Sequence, residues 1–263
     1  MILTLASLVL LAAVFIPLEK VFAAVDQPIL HRATPTDLAF FLGQNLLWSG
    51  LIIGVLHWSI VPIGAPLSPL ASVMPWWLQA IAVVMCGDLV VYWAHRLSHR
   101  VDWLWRFHRV HHTPERLDWL AAHREHPFDG LWTQFWVNLP AILLGFPIAT
   151  IAGVAAFRGA WGMVIHSNVR LRLGPVRFLI GAPELHHWHH DLHRSGQCNF
   201  ANLCPLMDVL FGTFHDPGVE PRSYGIPVPA PRGYLGLLIE PLLPAPFRRH
   251  FSSSRSKSRS LVS

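Results

Sequence analysis

Residues 38–87 read LAFFLGQNLLWSGLIIGVLHWSIVPIGAPLSPLASVMPWWLQAIAVVMCG, fifty residues without an aspartate, glutamate, lysine or arginine. A charge-free apolar run of about 18–20 residues is already long enough to cross a bilayer as a helix. Fifty residues suffice for two such spans, and the Pro/Gly-rich segment 62–75 predicts a tight exoplasmic turn between them. Trp76 and Trp77 begin the second of these spans, where amphipathic rings suit the membrane interface. This stretch therefore predicts an integral membrane protein.

The rest of the chain has the same apolar character. The sequence is 52% hydrophobic and only 13% charged, whereas soluble domains carry about 25% charged residues. We interpret residues 1–18 as an uncleaved first span rather than a signal peptide. No basic segment precedes the apolar run, and Glu19 and Lys20 stand where a cleavage region should be neutral. The next spans are predicted at about 38–61 and 76–94.

A further apolar stretch, residues 130–157, contains no charge over 28 residues. Pro140 and residues 145–147 (Gly-Phe-Pro) predict that it is a hairpin of two short helices, the second of which reaches about His166. The sequence thus predicts an all-α, polytopic membrane protein with about four or five membrane helices and a cytosolic helical cap. We divide it into N-terminal membrane helices (1–75), a histidine-bearing region (76–216) and a C-terminal segment with a basic Ser/Arg-rich tail (217–263).

Arginines indicate the orientation of these spans. They are frequent in the polar segments that follow the third span and the hairpin, and in the tail, but the turn at 62–75 has none. Because cytosolic loops carry the excess of Lys and Arg, both histidine-bearing segments are predicted to face the cytosol. We expect a bacterial inner-membrane protein, or an endoplasmic reticulum protein in a eukaryote.

No motif supports nucleic-acid binding, and the three cysteines form no CxxC pair that would indicate a thiolate metal site.

Histidine is the informative residue type. Of the 17 histidines, 13 lie between residues 95 and 193. They form an HxxxH motif at 95–99, an HxxHH motif at 108–112 and a second HxxHH motif at 186–190. On an α-helix, residues three and four apart lie on one face with Cβ atoms about 5–6 Å apart. Each motif is therefore predicted to direct two or three imidazoles to one place, at the cytosolic edge of the membrane.

The number of imidazoles indicates the metal chemistry. Neutral imidazole suits iron, zinc, copper and nickel, whereas calcium and magnesium prefer oxygen ligands. Eight or more imidazoles exceed the needs of one tetrahedral zinc, so we expect two metal ions, and two irons with dioxygen can oxidise an unactivated C–H bond. The alternative from another class is a non-redox membrane zinc-binding or transport protein, which predicts ionisable residues along a path through the spans.

These motifs and their surroundings resemble the fatty acid hydroxylase superfamily of membrane di-iron enzymes, which includes sterol desaturases and sterol methyl oxidases. The similar segments are Asp88-x-x-x-Tyr92-x-x-His95-Arg96, WRFHRVHH at 105–112, CNFA at 198–201 and MDVLFGT at 207–213. The resemblance covers about residues 76–214 and implies two irons, dioxygen and a lipid substrate that enters from the bilayer. Phe200, Ala201 and Val209 replace the family's usual Tyr, Gly and Arg. We expect these changes to alter an active-site wall or a partner surface and to leave the metal site untouched, and because of them the family's substrate identity does not transfer directly to this chain.

Carried onto matching positions, the resemblance implies the metal ligands His95, His99, His108, His111, His112, His186, His189 and His190. His166 falls near where some family members supply a further ligand, and His126 matches the His-Pro after the second motif. Asp88 lies two turns before His95, and we predict that it holds that imidazole or a neighbouring one through the second ring nitrogen. Tyr92 is predicted either to line the site or to anchor its helix at the head groups, and His187 is predicted to face away.

The predicted function is hydroxylation of a C–H bond in a fatty acyl or sterol-like lipid, with O2 and external electrons. Desaturation of a lipid at the same site is the alternative, because loss of a second hydrogen instead of oxygen rebound gives an alkene. The sequence contains no haem-binding module and no iron–sulfur cysteine pattern. We therefore expect a separate electron donor, a reductase or a ferredoxin- or cytochrome-type protein, to dock near the basic segments.

Overall fold

The computed structural model describes residues 1–60, 71, 73–194 and 196–244. Within these residues the protein is helical and has no β-strand; the bridges described are two isolated ones, Ala23 with Val169 and Asp191 with Tyr224. This confirms the predicted all-α fold. Most of the predicted turn at 62–75 and the whole basic tail from residue 248 lie outside the described residues.

The helices follow one another along the described chain, and four segments are long and apolar enough to cross a membrane. The helices are α1 (Ile2–Val21), α2 (Thr34–Gly43), α3 (Ser49–Ile60), α4 (Trp76–Arg100), α5 (Asp102–His108), α6 (Pro127–Leu143), α7 (Ile148–His166), α8 (Pro183–His189), α9 (Leu206–Leu210) and α10 (Tyr234–Ile239). The candidate spans are Ile2–Val21, Thr34–Val55, Trp76–Arg100 and Ile148–His166. A π-helical turn, Gln44–Trp48, joins α2 to α3, so the second span is continuous. The polytopic architecture is thus confirmed.

The third span and the hairpin differ from their predicted form. The third span continues as a helix to Arg100 instead of ending near residue 94, because no residue before the extended Val101 interrupts it. The predicted hairpin is formed by α6 and α7, but Pro140 lies inside α6 and does not end it. The break comes at Gly145, whose φ of 71° is in the left-handed region that favours glycine.

The polar ends of the spans meet at one end of the helix bundle. Glu19, near the end of α1, accepts hydrogen bonds from the backbone N–H groups of Trp119 (2.8 Å) and Asn168 (3.0 Å). Asp37, in the first turn of α2, forms an ion pair of 2.6 Å with Arg124. These contacts gather the segments after α5 and after α7 into a cap on the bundle. α4 and α7 end at this cap and α6 begins there.

Small and branched side chains allow α4, α6 and α7 to pack closely. Val83, Ala141 and Val154 form one buried apolar cluster between these three helices. Gly87 of α4 lies so close to α6 that a Cβ atom there would stand 2.6 Å from the carbonyl oxygen of Val137. The close approach fixes α4 against α6, and it therefore fixes the histidines at the end of α4 against the start of α6.

A buried ion pair lies within this bundle. Asp88 of α4 is fully buried and accepts a hydrogen bond from the guanidinium of Arg158 on α7. Arg158 also donates to Asn202 (3.1 Å), and the backbone N–H of Cys204 donates to Asp88 (2.6 Å). The prediction that Asp88 holds His95 is therefore corrected. Seven helical residues place the two side chains about 10 Å apart along the axis, and Asp88 instead anchors the loop 198–204.

We predict that Arg158→Met strongly destabilises the protein, because it leaves the Asp88 carboxylate buried without its charged partner. Removing one member of a buried pair costs about 3–5 kcal/mol. The measurement is thermal unfolding of the detergent-solubilised chain, with Arg172→Met as the control, since Arg172 is exposed. Equal unfolding temperatures for the two variants would contradict the prediction.

Candidate metal centre

One group of five histidines forms where α4, α5 and α8 meet. His95 and His99 come from the last turns of α4, His108 from the end of α5, His112 from the following turn and His189 from α8, and their ligand nitrogens all lie within 4.8 Å of one another. The Nε2 atom of His108 is 3.0 Å from that of His95, 3.0 Å from that of His99 and 3.2 Å from that of His112. One imidazole nitrogen cannot share a proton with three others, so hydrogen bonds alone do not account for this convergence. A metal ion bound between the four nitrogens would account for it.

A second group contains four histidines. His111, His166, His186 and His190 also place their ligand nitrogens within 4.8 Å of one another. The Nε2 atom of His166 is 3.1 Å from that of His111 and 3.0 Å from that of His186, which is 3.0 Å from that of His190. These residues come from the turn after α5, the end of α7 and α8 with the residue that follows it.

The two groups touch each other. The ring of His112 in the first group stacks on the ring of His190 in the second, with centroids 4.4 Å apart and planes 27° apart. The rings of His108 and His111 are 5.7 Å apart, again across the two groups. The nine side chains therefore form one continuous centre that could hold two adjacent metal ions.

Each HxxHH motif is divided between the two groups. His108 and His112 belong to the first group, and His111 between them belongs to the second. In the last motif His186 and His190 belong to the second group, and His189 to the first. In each HxxHH motif, the first and last histidines therefore belong to the same group. The histidine three residues after the first belongs to the other group. We expected each motif to serve one place; α5 ends at His108, and the following turn directs His111 away from His112.

Oxygen acceptors fix the orientation of five of these rings. A carbonyl or carboxylate oxygen can only accept, so each Nδ1 must carry the proton and leave the Nε2 lone pair free for a metal. The pairs are His95 with the carbonyl of Phe200 (2.8 Å), His108 with the carboxylate of Asp129 (2.9 Å), His111 with the carbonyl of Arg124 (3.3 Å), His166 with the carbonyl of Gly162 (2.7 Å) and His189 with the carbonyl of Cys198 (2.8 Å).

Burial keeps the most enclosed of these imidazoles neutral. His112, His189 and His190 are completely buried. Burial lowers the pKa of His189 to about 3, and burial together with the neighbouring imidazoles lowers the pKa of His112 and of His190 well below the usual value. The Nε2 atom of His189 is buried and has no hydrogen-bond partner among the described residues. Buried polar atoms are normally satisfied, and neutral nitrogens that converge in this way fit an imidazole-preferring metal such as iron.

Besides Asp88, two further predicted site residues are not brought into either group. His126 caps α6: its Nδ1 accepts from the N–H of Phe128 (3.1 Å) and its Nε2 donates to the carbonyl of Leu238 (3.2 Å). Neither ring nitrogen is left for a metal, so we omit His126 from the proposed ligands. The hydroxyl of Tyr92 contacts Thr213 (2.8 Å) and Arg96 (3.1 Å). Tyr92 is fully buried and supports the segment after α9, and among the described residues its hydroxyl contacts none of the nine histidines.

His187 faces away from both groups, as predicted. Its Nδ1 is 2.8 Å from Glu220 and its Nε2 is 3.1 Å from the carbonyl oxygen of Ser167.

Sequence reasoning missed the residues that hold the histidines. Asp129, only 3% exposed, follows the His-Pro pair at the start of an apolar stretch, and a lone carboxylate at that position was the available signal. No local pattern indicates the carbonyls of Cys198 and Phe200. The ring of Phe200 lies 5.4 Å from that of His99 and 5.8 Å from that of His95, so this residue forms part of the wall around the first histidine group.

Comparison with known proteins agrees with this site. Residues 80–213 match the family model described as fatty acid hydroxylase, and the chain belongs to that family. Ornithine lipid hydroxylase OlsE of Rhizobium tropici is 34% identical over 170 residues, which are 64% of this chain and 51% of that protein. The resemblance inferred from the histidine motifs is thereby confirmed.

Two further relatives carry out different named reactions. Alkylglycerol monooxygenase of Danio rerio is 30% identical over 166 residues, 61% of this chain and 35% of that protein. Delta(7)-sterol 5(6)-desaturase ERG3A of Gibberella zeae is 30% identical over 135 residues, 49% of this chain and 36% of that protein. The matches thus cover about half or less of the length of these relatives. No solved structure matches the chain significantly.

We predict that Asp129→Asn weakens metal binding about 10–100-fold, the usual effect of losing the carboxylate that orients a histidine ligand. Metal bound per chain is measured after equilibration with a limiting metal buffer. The matched control is Glu220→Gln, because Glu220 pairs in the same way with His187, which lies in neither group. Equal metal loss in both variants would show that Asp129 has no special role.

Proposed function

We propose that this protein is a membrane di-iron oxygenase that hydroxylates a C–H bond of a lipid, fatty acyl or sterol-like, with O2 and external electrons. The observation that carries the proposal is the continuous centre of nine converging histidines at one end of a membrane helix bundle. Membership of the fatty acid hydroxylase family and relatives named as lipid hydroxylase and alkylglycerol monooxygenase support it. We keep residues 76–216 as the catalytic region.

In this proposal the two histidine groups each hold one iron, and the bound pair supplies the activation of dioxygen that an unactivated C–H bond requires. The residues of the chain perform the rest. Asp129 and the backbone acceptors keep the Nε2 lone pairs directed inward, and burial excludes water and protons from the imidazoles. His99 and His166 stand at the ends of the α4 and α7 spans, so the centre lies where a lipid chain between the helices reaches the cap.

The non-redox alternative has less support in the described spans. A transport path needs ionisable groups in succession. The buried charges within α4 and α7, Asp88 and Arg158, are paired with each other and fully engaged by the loop 198–204. The metal content decides between the two functions: about two irons per chain supports the oxygenase, and zinc without oxygen consumption supports the alternative.

We predict that cells expressing the protein accumulate a lipid heavier by 16 mass units, and that His111→Ala abolishes this product because it removes a ligand from the second group. Lipid extracts are compared by mass spectrometry. A product lighter by two mass units would establish desaturation, a reaction carried out by a named sterol desaturase relative.

The purified chain is expected to turn over only with O2 and an added electron donor. Turnover without a donor would refute the predicted partner.

We also predict that the cap faces the cytosol, in the inner membrane of a bacterial cell. The arginines of the cap, among them Arg106, Arg109 and Arg116, support this orientation through the positive-inside rule. A green fluorescent protein fused after residue 244 should fluoresce, and alkaline phosphatase fused at the same residue should be inactive. The reverse pattern would place the cap on the other side of the membrane.

A further inference from the structure

A cavity of about 1260 Å³ opens on the cap beside the second histidine group. Three stretches of the chain line it: the linker between α1 and α2 (28–33), the loop that follows the second histidine motif (113–116) and the segment before α10 (222–232). The proposed oxidation chemistry does not use this cavity, and its lining contains none of the nine histidines.

Unpaired positive charge surrounds the cavity. Arg32, Arg116, Arg222 and Arg232 line it and are exposed. Within the part of the chain that the structure describes, none of these four guanidinium groups has an ion-pair or hydrogen-bond partner. Glu115 is the one acidic residue in the described lining. An excess of unpaired guanidinium groups in one concave site favours a phosphate or carboxylate ligand.

A buried arginine adds an independent observation. Arg124 lines the cavity but is only 4% exposed. Its Nε donates to Asp37 (2.6 Å) and its Nη1 donates to Thr113 (3.3 Å). Its Nη2 is buried and has no partner among the described residues. The Nη2 atom has almost no accessible surface, so Arg124 contributes to the cavity through the positive charge that it places behind the wall.

The remaining lining and the location indicate an amphiphilic ligand. Ile226, Pro227 and Val228 give the cavity an apolar wall. The 28–33 linker connects the end of one membrane span to the start of the next, so the cavity lies at the level where lipid headgroups meet the protein. The carbonyl of Arg124 also accepts the Nδ1–H of His111, which places the cavity one residue away from the second histidine group.

We infer that this cavity binds the phosphate or carboxylate of an anionic lipid headgroup, with Arg124 at its base and the four exposed arginines at its rim. The inference rests on the proposed function and deepens it, because it specifies an anionic lipid as the substrate class. The headgroup is held on the cap while the hydrocarbon chain remains at the membrane side of the histidine centre.

The test is thermal unfolding of the full chain in a neutral detergent, with phosphatidylglycerol, phosphatidylcholine or glycerol phosphate added. A ligand that binds only the folded state raises the unfolding temperature. We compare Arg116→Gln/Arg222→Gln with Arg100→Gln/Arg172→Gln, which removes the same charge from exposed positions outside the cavity. Phosphatidylglycerol should stabilise the unaltered chain and the control, and the cavity variant should need about tenfold more of it, or ~1.4 kcal/mol.

The outcomes separate this inference from the proposed function, because the measurement needs no turnover. An equal response of both double variants to phosphatidylglycerol would overturn the headgroup site. So would stabilisation by glycerol phosphate equal to that by phosphatidylglycerol, which would indicate a site for a soluble anion. If the cavity variant alone loses the response and no oxidised lipid is found, the headgroup site stands and the oxygenase proposal fails.

Discussion

Nine imidazoles converge in two touching groups, and within each group the ligand nitrogens lie within 4.8 Å of one another. Protonated rings at these distances would repel one another, and burial removes the water that would screen that repulsion. Burial and mutual proximity both lower the pKa of rings such as His112 and His190. Neutrality alone does not choose which nitrogen carries the proton. For five of the rings the acceptors for Nδ1 make that choice, so the centre depends on oxygen atoms held at fixed positions around it.

Most of these oxygens belong to backbone segments that have no regular secondary structure, and such segments need other anchors. The loop 198–204 supplies the carbonyls that orient His189 and His95. Asp208 holds this loop by accepting from the N–H groups of Phe200 (2.7 Å) and Ala201 (2.8 Å), and the Asp88–Arg158 pair holds its other end. A buried ion pair contributes little net stability. Its contribution here is to position a loop that a purely apolar bundle would leave unattached.

The sequence predicted the spans and the histidines because both signals are local. A charge-free run indicates a membrane helix wherever that helix packs, and HxxHH spacing indicates a shared face over a few residues. The partners of these histidines arise from contacts that no local pattern contains. Asp129 meets His108 across 21 residues, and Phe200 meets His95 across 105. The misassigned Asp88 and His126 show the same limit, since each has a polar partner on a distant segment that occupies it.

Two independent connections fix the depth of the histidine centre relative to the bilayer. The first group is attached to α4 by His95 and His99 and to the start of α6 by Asp129. The second is attached to α7 by His166, and to α2 through Arg124, whose carbonyl holds His111 while its side chain pairs with Asp37. Because each group is anchored to membrane helices, the cap cannot slide along the bundle without breaking buried polar contacts. In the proposed function, a lipid chain lying between the helices would meet the centre at one depth, which is the condition for oxidising one carbon and leaving its neighbours unchanged.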